Sequence, residues 1–291
     1  MTGYEFILQK QLQWAYNNDL GDKLIGSAVV RGRQIYTKEL EFNLFQPLLE
    51  DVQDNFSLAD GNEIIEDEGH AAKMSALHSS SALCVNVFQY WLRTNRLNEI
   101  AYMCGLCDES NEYIESMQFE KRLSIQKRFP RCPNIDVVIE NNTDAKIKAY
   151  AIESKFSEPY SNRGHGGLNP KYLQDEEVWS DIPKILELSK DISPDDKQFK
   201  YLHAAQLIKH ILALKKNYGG KTNFRLLYIW YDTIGDESFR HGDEIARFFE
   251  ITKQDNILFH SLTYQELIVR MANRFRESDK EYIEYITGRY L

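Results

Sequence analysis

No run of apolar residues in this chain approaches the roughly 18 that a membrane-crossing helix needs. The opening residues, Met1-Thr2-Gly3-Tyr4-Glu5, also lack the basic start and apolar stretch of a secretory signal. Cysteine is scarce, with 4 in 291 residues, which excludes a disulfide scaffold and points to reduced thiols in a cytoplasm. Cys104-Gly105-Leu106-Cys107 stands without the second pair that a zinc site would want, so these two read as structural thiols. There is no G-x-x-x-x-G-K-S/T phosphate loop, no dinucleotide glycine fingerprint and no G-x-S-x-G elbow. Internal repeats and low-complexity tracts are missing too, which removes solenoids and disordered tails.

What is present is an ordinary globular composition, 43% hydrophobic and 27% charged, enough for a sizeable core. The net charge of −9 argues at first against a polyanionic partner. Its distribution is uneven, however. Lys197, Lys200, Lys209, Lys215, Lys216, Lys221 and Arg225 fall in a stretch free of Asp and Glu, and Lys121 to Arg131 is a second such stretch. Segregation of this kind can make a cationic surface on an acidic protein, or only solvated element faces.

The polar, acidic stretch Ser57 to Gly69 reads as a loop, and residues 1–75 as a partly helical N-terminal extension to a core of 76–291. Ser79 to Leu106 is apolar, free of Pro and opened by three serines, so one long helix is expected there. The period then changes to two. Ile114 to Ile125, Ile135 to Glu140 and Ile147 to Phe156 read as strands, with Asn141-Asn142-Thr143-Asp144 as the turn between the last two. Further on, a helix over Gln198 to Lys216 closes at Gly219-Gly220, and a buried strand follows from Phe224 to Tyr231. A helix over Asp243 to Ile251, a short strand from Ile257 to His260 and a helix from Thr263 onward complete an α/β fold. Its core order is αβββαβ, a mixed central sheet flanked by helices.

The chemistry concentrates in two strands. Glu153 and Lys155 are two apart, so both leave the same face of a strand otherwise rich in apolar residues. Asp136 lies on the preceding strand, and a short hairpin brings it beside Glu153. Charges are rarely placed in such surroundings without purpose, and two neighbouring carboxylates repel unless a cation lies between them. Hard oxygen ligands suit Mg²⁺, with Mn²⁺ as the alternative. Such an ion, with Lys155 to orient or help deprotonate water and to stabilise a phosphate, fits phosphodiester hydrolysis.

These residues resemble the PD-(D/E)xK nuclease superfamily, Asp136 matching its first acid and Glu153-Ser154-Lys155 the rest of its motif. His78-Ser79-Ser80-Ser81-Ala82-Leu83, Ile152-Glu153-Ser154-Lys155-Phe156 and Ala205-Gln206-Leu207-Ile208-Lys209-His210 resemble, more narrowly, a group of bacterial restriction endonucleases. One departure is that Pro133 stands three positions before the aspartate instead of adjacent to it. The resemblance implies a restriction-endonuclease-like fold and a metal-dependent endonuclease acting on DNA, in restriction or defence, with a homodimer suited to cutting two strands. It implies metal ligands Asp136 and Glu153 with the main-chain carbonyl of Ser154.

Glu120, on the strand before, is a further ligand candidate on this reading, or an exposed neighbour of Lys121 and Arg122. Gln206 on the following helix would face the site and position phosphate or water. His203 and His210 share its face but read better as a polar stripe, Glu158 as a structural carboxylate, and Arg163 to Gly167 as a surface loop. The alternatives are a module of the same fold that binds DNA or protein without cutting, a repair or RNA-directed nuclease, and a structural protein in which Glu153 and Lys155 form only a salt bridge.

Overall fold

A computed structural model describes residues 1–27, 34–59, 63–66, 69–129, 132–161 and 164–291. Arg131 and Arg163, and part of the Ser57 to Gly69 loop, lie outside the described residues.

The chain opens with α1 (Gly3–Asn17), whose capping box pairs the Thr2 side chain with the Glu5 backbone and Glu5 with the Thr2 backbone. Two short antiparallel strands, β1 (Leu24–Ile25) and β2 (Tyr36–Thr37), follow, and then α2 (Glu50–Leu58). The long helix expected over Ser79 to Leu106 is in fact two, α3 (Ser80–Arg93) and α4 (Leu97–Met103). Asn95 adopts φ +55°, a left-handed conformation that ends the first helix, and no proline marks the break. Of the three serines, Ser79 is the cap, accepting the Ala82 backbone N–H at 3.2 Å.

A meander of β3 (Ile114–Arg122), β4 (Asn134–Asn141) and β5 (Ala149–Lys155) comes next. Asn142 turns the β4–β5 hairpin, its side chain accepting the Asp144 backbone N–H at 3.0 Å. Then come α5 (Pro183–Asp191), α6 (Ala204–Asn217), β6 (Phe224–Trp230), α7 (Asp236–Gln254), β7 (Phe259–Thr263), α8 (Tyr264–Phe275) and α9 (Lys280–Tyr290).

The five long strands form one mixed sheet in the order β3-β4-β5-β6-β7. The first three are antiparallel; β6 and β7 join parallel to β5 through helical crossovers. Alternation sorts the side chains into two cores. Val137, Ile139, Ile152, Leu227 and Ile229 face α3, α4, α8 and α9, and Ile7, Val52 and Phe56 from α1 and α2 join this same core. Val138, Ala149, Ala151, Leu226 and Tyr228 face α5, α6 and α7. The result is helix, sheet and helix in three layers, a mixed α/β architecture of restriction-endonuclease type. Among the described residues no helix is long and apolar enough to cross a membrane.

The helix expected from Gln198 begins six residues later, at Ala204. Side chains capture the backbone there instead. Asp196 accepts from the N–H groups of Gln198 and Phe199, and Glu244 on α7 accepts from those of Lys200, Tyr201 and Leu202. Donors satisfied in this way gain nothing from a further helical turn.

Candidate active site

The register of the sheet lines up three carboxylates. Phe119 and Lys121 pair with Val137 and Ile135, which leaves Glu120 opposite Asp136. Val137 pairs with Ile152, so the next position on each strand sets Asp136 opposite Glu153. Glu153 in turn pairs with Tyr228 on β6. Of the three, Glu153 reaches α6, where it meets His210. Glu120 stands in a strand with φ +49°, a conformation rare outside glycine and costing about 1 kcal/mol or more.

Glu153 is buried. Its Oε1 accepts from Lys155 Nζ at 2.6 Å and its Oε2 from His210 Nε2 at 2.8 Å. Asp136 Oδ2 accepts the Ser154 backbone N–H at 2.6 Å. Ser154 itself is tied from both sides, its hydroxyl to Tyr264 at 2.6 Å and its carbonyl to the Ser80 hydroxyl at 3.3 Å. The N-terminus of α3 therefore abuts the motif strand.

The charges are strongly unequal. Burial raises the Asp136 carboxyl well above its usual range, and the Glu153 charge raises it further, against the pull of Lys155 and the Ser154 N–H. Glu120 is pushed up to about 7, by burial first and then by Glu153 and Glu63. For Glu153 burial acts in the same direction, but Lys155 and His210 outweigh it and hold the group at about 2. Burial would lower Lys155, yet Glu153 and Asp136 overcome it, so its ammonium stays protonated. A lysine in that state is a hydrogen-bond donor.

Gln206 lies one turn before His210 on α6 and lines a cavity of about 290 Å³ together with Lys155, Glu158, His165 and His203. Glu158 accepts the Phe156 backbone N–H at 3.0 Å, a structural contact. His203 stacks on His165 at 4.7 Å, and burial with the neighbouring positive charges lowers it to about 3. His210 is not part of a solvated stripe: it is 1% exposed and bonded to Glu153. Glu63, from the N-terminal loop, was also missed. Its carboxylate accepts from Ser81 at 3.0 Å, and burial raises it. Nothing in the local sequence marks either contact, although the four-residue spacing of Gln206 and His210 showed that they share a face.

As they stand, no three His, Cys, Asp or Glu side chains among the described residues converge on one point as ligands of a metal. Glu153 is turned to Lys155 and His210 instead. The donor set still fits a hard divalent cation: all three groups of the row are carboxylates, and two are held above their ordinary range by burial and by the charge of Glu153.

The sequence matches the family described as Restriction Endonuclease associating with ARP over residues 9–291. The chain belongs to that family. No curated protein and no solved structure matches it significantly. The family match spans the N-terminal extension, the sheet and both helical layers.

Proposed function

We propose that this restriction endonuclease family member is a metal-dependent nuclease of PD-(D/E)xK type that hydrolyses phosphodiester bonds in DNA. The observation that carries the reading is the row Glu120, Asp136, Glu153 across three adjacent strands with Lys155 two positions beyond Glu153. Asp136, Glu153, the Ser154 carbonyl and Glu120 would hold Mg²⁺, or Mn²⁺ in its place. The ion supplies charge neutralisation at the phosphate and a more acidic water.

The chain's own residues do the rest. Lys155, fixed as a cation, donates to a phosphate oxygen and orients the attacking water. Gln206 faces the same cavity and adds a neutral donor and acceptor. The unfavourable φ at Glu120 supports a functional role, since strain persists where the surroundings impose it. Lysines and arginines outside the site would position the DNA backbone.

The test is Mg²⁺-dependent nicking of supercoiled plasmid, compared with Glu153→Gln and with single-stranded RNA as substrate. Nicking by the wild type alone supports the reading, and cleavage of RNA in preference to plasmid moves it to an RNA-directed enzyme. A second reading has its own support. Both oxygens of Glu153 already have protein partners, as a structural salt bridge would require. DNA retention without metal-dependent cleavage, in wild type and variant alike, would favour that non-cutting module.

A further inference from the structure

His210 is buried on α6, between Leu207, Ile208 and Ile211, all of them in the core. Its Nε2 is 2.8 Å from Glu153 Oε2, and its Nδ1 is buried with no hydrogen-bond partner among the described residues. Only a proton on Nε2 has an acceptor, so the ring donates to the carboxylate through that nitrogen. Ala149 and Ala151 of the Glu153 strand lie in this same core.

Glu153 thus has two donors of different character. Lys155 is a flexible ammonium at the rim of the cavity; His210 is a rigid ring locked in the core. In the proposed chemistry Lys155 must turn toward phosphate and water, and in doing so it releases Oε1. His210 has no such alternative.

We propose that His210 is the positioning residue of the site. It holds Glu153 by Oε2 while Lys155 exchanges partners, and it leaves the second lone pairs of both oxygens free for a divalent cation. This rests on the metal-dependent reading above and adds to it a residue outside the sequence motif.

The experiment is calorimetric titration of Mn²⁺ into the full chain without DNA. Wild type is compared with His210→Phe, which keeps the ring and removes the donor, and with His210→Gln, which places an amide N–H near the position of Nε2. The dissociation constant for Mn²⁺ should rise about 10- to 100-fold in the Phe variant, and the Gln variant should recover most of that loss. In a Glu153→Gln background the Phe substitution should have no further effect. On plasmid, the Phe variant should lose kcat more than KM.

Mn²⁺ binding unchanged by His210→Phe, or a Gln variant no better than Phe, overturns the proposal. Should the Phe variant not fold, as seen by circular dichroism, the Gln variant decides, since a Gln variant that binds Mn²⁺ as weakly as Glu153→Gln also overturns it. Mn²⁺ binding that depends on His210 in a wild type unable to nick DNA leaves this inference standing and removes the nuclease reading. Nicking that is lost in Glu153→Gln but normal in His210→Phe removes this inference alone. A wild type that binds no Mn²⁺ removes both.

Discussion

The carboxylate of Asp136 accepts the backbone N–H of Ser154 at 2.6 Å, joining β4 to β5 beyond the last backbone pair, Val137 with Ile152. A side chain therefore does the work of one rung of the ladder. The same group is pushed well above the usual carboxylate range by burial and by Glu153, so its charged form is disfavoured in the metal-free protein.

The two roles separate by substitution. Asp136→Asn keeps an oxygen to accept the Ser154 N–H and removes the charge. It should abolish plasmid nicking and stabilise the metal-free protein by on the order of 1 kcal/mol, about 2 °C in Tm. Asp136→Ala also loses the acceptor and should destabilise by about 1–3 kcal/mol. Thermal melts in the presence of a chelator read both. An Asn variant that melts below wild type would mean that the carboxylate charge is not a liability.

Lys155 and Glu153 pair inside the protein, with side chains 15% and 1% exposed. Removing one member of such a pair leaves the other uncompensated, which commonly costs about 3–5 kcal/mol. Lys155→Met should approach the lower end, because His210 still donates to Glu153. Replacing both residues, as Glu153→Leu with Lys155→Met, should cost clearly less than the sum of the single changes. Denaturant unfolding of the four proteins measures the coupling, and strict additivity would mean that the pair contributes nothing to the fold.

How much of this was readable in the residues depends on the range of the interaction. Period-two alternation put Glu153 and Lys155 on one face, and the Asn142 turn set the hairpin that brings Asp136 opposite. These are local rules. The break at Asn95 and the late start of α6 are not, since one rests on a backbone conformation open to many residues and the other on Glu244, 42 to 44 positions away. His210 meets Glu153 across 57 positions, and only the packing of α6 on the sheet joins them.

Charge segregation along the chain translated poorly into space for a similar reason. Lys215 and Lys221 both pair with Asp181, at 2.8 and 3.9 Å, and Lys121 pairs with Glu140 at 2.6 Å. Arg128 pairs with Asp175. Four basic residues of the acid-free stretches thus find their acids elsewhere in the fold.

At the C-terminus, Arg289 is 1% exposed and, among the described residues, has no carboxylate as a hydrogen-bond partner. It donates to Gln11 Oε1 at 3.0 Å, to the Asn43 carbonyl at 2.8 Å and to the Tyr285 hydroxyl at 2.6 Å. Its guanidinium lies 4.1 Å from the centre of the Trp14 ring. One cation thereby ties α9 to α1 and to the segment before α2. Lysine cannot reproduce that fork, so Arg289→Lys should destabilise by about 2 kcal/mol and Arg289→Ala by about 3 kcal/mol or more. A chain ending at Gly288 should lose its cooperative melt. An unchanged melting temperature in Arg289→Lys would show that the guanidinium fork is dispensable, and in Arg289→Ala that the buried cation is.

His241 offers a test with a defined sign. Its Nε2 is 2.9 Å from the Tyr228 hydroxyl, and burial, aided by the charge of Lys155, lowers its pKa from 6.5 to about 3. Below pH 6.5 the unfolded chain takes up a proton that the folded protein refuses until about pH 3. The stabilisation is therefore complete above pH 6.5 and is lost on the way down, by about 1.4 kcal/mol per pH unit within that window. Glu120, raised to about 7, acts in the opposite sense, because there the folded state binds the proton first as pH falls from 7. Total stability thus mixes these with other shifted groups such as His203, and the informative quantity is the difference between wild type and His241→Gln, which retains a partner for Tyr228 and has no proton to gain. Urea unfolding at pH 7.5 and 4.5 should show the wild type losing about 3 kcal/mol more than the variant over that interval. Equal losses would mean that His241 already carries its proton in the folded protein at pH 4.5.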